Sequence, residues 1–138
     1  EWRWAGSSGE VKGPVAVPVK RAEVRPDFPQ FLGPNRNGMV EGPLIGTNWA
    51  ERPPEVLWRR PVGAGWGGFA IAGDRAVTQE QQGGEELVVC YDLTTGEPQW
   101  AHADKARYFT TIAGEGPRCT PTIVSNRVFT LGATGRLN

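Results

Sequence analysis

Val89-Cys90-Tyr91-Asp92-Leu93-Thr94-Thr95-Gly96-Glu97-Pro98-Gln99-Trp100 is the stretch that decides how this chain folds. An apolar run ends in Asp92, turns through Thr94-Thr95-Gly96, and re-emerges as a strand carrying Trp100 four residues after Gly96. Aspartate before Thr-Thr-Gly caps such a turn by accepting backbone N–H bonds. Asp92 therefore reads as a turn-former, not a general acid. A second tryptophan of the same kind lies in Val56-Leu57-Trp58-Arg59, 42 residues before Trp100.

A period of that length, built from short strands, predicts repeated four-stranded sheets of the propeller type. The flanking sequence supplies the strands. Glu55–Arg60 is strand-like and ends at Pro61. Gly67–Ala72 and Arg75–Gln79 flank the tight turn Gly73-Asp74. Glu86–Asp92 is the most apolar run and suits an inner strand covered on both faces. Pro98–Ala103 closes the set, and its proline marks an outer strand, because proline cannot donate to a ladder. The order then recurs: Ile71-Ala72-Gly73-Asp74-Arg75-Ala76-Val77-Thr78 corresponds to Ile123-Val124-Ser125-Asn126-Arg127-Val128-Phe129-Thr130, 52 residues on. Residues 104–116 account for the extra length.

Composition agrees. Nineteen glycines and 12 prolines in 138 residues, with only 38% hydrophobic residues, favour short strands and turns over long helices. The chain opens on Glu1 and stops in mid-pattern at Asn138, as a piece of a longer protein would. No apolar window approaches the roughly 20 residues that span a bilayer. Fifteen basic and 15 acidic residues cancel, and the nearest basic cluster, Lys20-Arg21 with Arg25, is broken by Glu23. No nucleic-acid footprint is present. Cys90, in an apolar strand, and Cys119, in a Gly/Pro loop, read as buried or semi-buried free thiols. Thr47-Asn48-Trp49-Ala50-Glu51 predicts a short helical turn with Thr47 as N-cap.

The Asp92-x-x-Thr95-Gly96-x-x-x-Trp100 pattern after an apolar strand resembles the repeat of the quinoprotein-type β-propellers, the pyrroloquinoline-quinone-like repeat proteins. Pro29-x-Phe31-x-Gly33-Pro34-x-Arg36-x-Gly38 resembles the opening of a bacterial subgroup of that family. Gly116-Pro117-Arg118-Cys119-Thr120-Pro121-Thr122 resembles the start of its second blade. In a WD-type propeller the tryptophan precedes the aspartate; here it follows the glycine.

The resemblance implies an all-β fold, a partial quinoprotein-like β-propeller. Residues 1–27 would be an extended linker or tether and 28–54 an irregular arm. Residues 55–61 would be a closing outer strand, 66–103 the first blade, 104–119 a long loop, and 120–138 the start of the second blade. Trp58 and Trp100 would dock neighbouring blades, with Asp92, Thr95 and Gly96 forming the docked turn. The implied role is a non-catalytic scaffold without a cofactor, binding protein partners in the bacterial periplasm and tethered to the membrane upstream of residue 1. The alternative is the N-terminal part of a dehydrogenase that uses pyrroloquinoline quinone with calcium.

Other chemistry is sparse. Gly63-x-Gly65-x-x-Gly68 matches a dinucleotide fingerprint, but a strand and turn follow where the fingerprint needs a helix. His102 is the one histidine and has no partner at metal-ligand spacing. Glu85-Glu86 would point to opposite faces of a strand and read as solvated charges at a loop edge. Arg118 is the one ligand candidate, a guanidinium able to clamp a carboxylate; the competing reading is an arginine hydrogen-bonded within its loop.

Overall fold

Three two-residue reversals, Gly73-Asp74, Gly83-Gly84 and Ser125-Asn126, set the architecture, each with a positive φ at its first residue only. That backbone twist matches the twist of paired strands and keeps a tight hairpin in register. Ser125 takes the position that Gly73 holds 52 residues earlier, so the two halves of the repeat share their turn geometry. The computed structural model describes residues 26–41 and 46–138. The linker predicted for residues 1–27, apart from Pro26 and Asp27, lies outside the described residues.

The described fold is all-β and antiparallel. Strands β1 (Ala70–Ala72), β2 (Arg75–Gln82), β3 (Glu85–Asp92) and β4 (Pro98–Asp104) form one sheet in the order β1-β2-β3-β4. Two small hairpins follow: β5 (Phe109–Thr110) with β6 (Gly114–Glu115), and β7 (Thr122–Val124) with β8 (Arg127–Phe129). A bulge between Cys90 and Tyr91 shifts the β3–β4 register, so that Trp100 faces Cys90 while Pro98 faces Tyr91.

Alternation along β2 and β3 sends side chains to two faces, and both are covered. On one face Val77, Val88 and Cys90 pack against Ile123 and Val128 of the β7–β8 hairpin. The same face carries Gln79, whose Nε2 donates to the Cys119 carbonyl at 2.7 Å, and Gln81, whose Oε1 accepts the Tyr108 N–H at 2.7 Å. On the other face Tyr91 stacks on Trp58 and meets Phe69 at a tilt. The apolar core is small. Much of what lies between the layers is polar and hydrogen-bonded, as buried polar groups require.

The arm does more than cover apolar surface. Phe28 exchanges both backbone hydrogen bonds with Ile71, at 2.9 and 2.8 Å, and the Pro29 carbonyl accepts the Ile123 N–H at 2.8 Å. Asp27 Oδ1 accepts the Gly73 N–H at 2.8 Å. One short segment thus joins β1 to β7.

Residues 55–60 pair with no strand among the described residues, and the side chains of Trp58 and Arg60 hold the segment. Three expectations need correction. The turn near Thr47 starts one residue later, as a single bond from Arg52 N–H to the Asn48 carbonyl at 2.9 Å, because the Asn48 amide bonds Glu51. Cys119 is exposed, whereas Cys90 is buried. Glu86 is only 7% exposed, because the 132–135 turn closes over it.

Candidate functional site: a tryptophan seated on a capped turn

The turn between β3 and β4 is fixed by one carboxylate. Asp92 Oδ1 accepts the N–H groups of Thr94 (2.9 Å) and Thr95 (2.8 Å) and the Thr95 hydroxyl (3.1 Å). The Thr95 hydroxyl in turn accepts the Glu97 N–H at 3.3 Å. Gly96 closes the loop onto the Asp92 carbonyl at 2.8 Å with φ of +72°. Short polar side chains that bond their own backbone two or three residues on produce this shape, and glycine tolerates the left-handed conformation it ends in.

Trp58 sits on that turn. Its Nε1–H donates to the Leu93 carbonyl at 3.0 Å, and its ring stacks on Tyr91 with centroids 6.5 Å apart. A β-carbon on Gly96 would lie 2.5 Å from Trp58 Cδ2. Two residues on, Arg60 pairs with Glu97 at 3.1 Å. Trp58, Asp92, Thr95 and Gly96 are therefore one contact unit. Trp100 is not part of it: it stands on β4 and is 41% exposed.

Arg118 is tied into its own loop. Its guanidinium donates to the carbonyls of Gly116 (3.3 Å) and Ala113 (3.0 Å) and lies 4.7 Å from the centre of the Tyr108 ring. It serves as a brace for residues 108–116, the second of the two readings given for it. The glycines of the fingerprint-like run serve close approach of backbones. A β-carbon on Gly63 would lie 2.5 Å from the Gln81 carbonyl oxygen, and one on Gly65 would lie 3.1 Å from that of Gln79; one on Gly67, between Gly65 and Gly68, would lie 2.5 Å from that of Cys119. His102 stands on the strand surface, 3.5 Å from Asp104.

Three carboxylates that hold remote segments together are not legible from local sequence. Glu80, 2% exposed, accepts the Gly63 N–H and the Gln82 amide. Glu86 accepts the Ala133 N–H through both oxygens at 3.1 Å. Asp104 binds Arg136 at 2.9 Å and the Asn138 amide at 2.8 Å. The Asn138 bond, with Arg136 and His102 beside it, holds the Asp104 carboxyl below the ordinary carboxylate range. Burial pushes the Tyr91 phenol up, and neighbouring Glu80 adds to this. Burial likewise raises the Cys90 thiol.

Among the described residues no group of three or more His, Cys, Asp or Glu side chains converges as a cation would need. Asp27, Glu80, Glu86 and Asp92 accept backbone N–H groups, and Glu97, Asp104 and Glu115 pair with arginines, so these seven carboxylates do not fit a shared calcium and quinone site. No helix of the described residues is long and apolar enough to cross a membrane. A scan of protein-family models, a search of curated proteins and a search of solved structures each returned no match to the chain.

Proposed function

We propose that this chain supplies the first sheet, and the start of the second, of a quinoprotein-like β-propeller that acts as a non-catalytic scaffold for protein partners in the bacterial envelope. The observation that carries the reading is the Trp58 seat. A tryptophan from one segment caps the Asp92–Gly96 turn of the following sheet, and 42 residues later Trp100 offers the same indole, 41% exposed, to a next turn. Iterated, that contact places sheets side by side around an axis, and a closed ring leaves no open inter-sheet face. In this reading the 55–60 segment, without a strand partner among the described residues, is the outermost strand of the last sheet, and the arm at Phe28–Pro29 lies along the innermost strands.

Titration of the complete protein with pyrroloquinoline quinone and calcium tests the scaffold role. The expected result is no stoichiometric binding and no dye-linked alcohol oxidation. Binding at one equivalent with turnover would replace the scaffold by the quinone-dependent dehydrogenase. Electron micrographs of the complete protein test the ring: class averages should show a disc with a central channel, and stacked sheets without an axis would end the reading.

A further inference from the structure

We infer that the outer edge of β4 pairs antiparallel with the same edge of a second copy of this chain. Among the described residues the edge is open, because β4 is the last strand of its sheet.

The ladder fixes which backbone groups are free. Gln81 gives both its N–H and its carbonyl to Ala64, so its β3 partner Glu86 turns both groups towards β4, opposite Asp104. Alternation along an antiparallel strand then aims the backbone groups of Asp104, His102 and Trp100 inward. Those of Ala103 and Ala101 point away from the sheet. Both residues are exposed and carry only methyl side chains, so another strand can approach closely.

The usual defences of an edge are a proline, a bulge or a lysine within the strand. Here Pro98 and the bulge lie at one end and Lys105 just past the other. The middle of the strand is undefended.

Charge selects a second copy over an unrelated strand. Glu97, which also pairs with Arg60, precedes β4; Lys105 and Arg107 follow it, and Arg107 also pairs with Glu115. Antiparallel two-fold pairing sets the Glu97 end of each copy against the Lys105–Arg107 end of the other. This holds with Ala101 opposite Ala101 and with Ala101 opposite Ala103. The acidic residue at the basic end, Asp104, is already turned into Arg136 and Asn138. In such an isologous contact every favourable pair of opposed ends occurs twice.

Sedimentation velocity of the 138-residue chain tests this. A monomer–dimer equilibrium should be visible by about 100 μM. Ala101→Lys should leave the monomer alone at that concentration with an unchanged far-ultraviolet spectrum. Lys105→Glu should weaken the dimer about tenfold or more, and Val124→Lys, on the exposed β7–β8 hairpin, should leave it intact. A chain that stays monomeric at several times that concentration would overturn the proposal. So would a dimer indifferent to Ala101→Lys and Lys105→Glu, or one dissolved by Val124→Lys.

Discussion

The Trp58 ring fills the volume that a β-carbon on Gly96 would need, 2.5 Å from Cδ2 at the closest approach. The glycine is thus required twice, once for its backbone at φ +72° and once for the face it leaves bare. Gly96→Ala should destabilise the chain by about 2–5 kcal/mol, combining roughly 1–2 kcal/mol for a non-glycine residue at positive φ with roughly 1–3 for overpacking. Urea unfolding of the two proteins side by side measures it, and a loss below 1 kcal/mol would mean that the indole is not held on the turn.

Trp58→Phe keeps a ring over the turn and removes the Nε1–H bond to Leu93. The expected cost is about 1 kcal/mol for the hydrogen bond. Trp58→Ala also removes the stacking on Tyr91 and should cost more, about 2–3 kcal/mol, short of a fully buried tryptophan because Trp58 is only partly buried. Equal effects of the two variants in thermal melts would show that the ring contributes nothing beyond its N–H.

This unit also marks how far the sequence could be read. Asp92, Thr95 and Gly96 act through local backbone geometry, which residue type and spacing encode, so their turn was legible. The strands around them were legible from their apolar runs, since residues 86–92 and 98–103 fall within β3 and β4. Residues 55–60 find no pairing strand among the described residues, and a proline-bounded run of this kind looks the same whether or not a neighbour pairs with it. Glu86 was misread because its partner, Ala133, is 47 positions away in the chain, and nothing local signals a turn arriving from that distance. Gly63 and Gly65 match the spacing of a phosphate loop; their purpose is contact with backbone that is remote in sequence.

Asp104 gives the fold an acid-sensitive edge. Its folded-state pKa lies below the ordinary value, so its contribution is present above the ordinary carboxylate range and disappears as pH falls through the lowered value. Stability followed from pH 7 to below about pH 4 should fall more steeply in the natural chain than in Asp104→Asn. Parallel curves would remove Asp104 from the account.

The two thiols should separate cleanly. Cys119 is exposed, while Cys90 is buried and its thiol is raised by that burial. Because the thiolate is the reactive form, Ellman's reagent at pH 8 should titrate one equivalent promptly in the native chain. The second should appear only on adding denaturant. Two prompt equivalents would show that the Val77–Val88–Cys90 cluster opens readily.

The join made by Phe28 and Pro29 imposes an order on synthesis. Ile71, and later Ile123, must leave the ribosome before these residues meet their partners. At roughly 5–20 residues per second, Pro29 waits about 5–20 s after its own emergence. The earliest-made part of the described chain is therefore among the last to settle, and a nascent-chain chaperone would find it available throughout that interval.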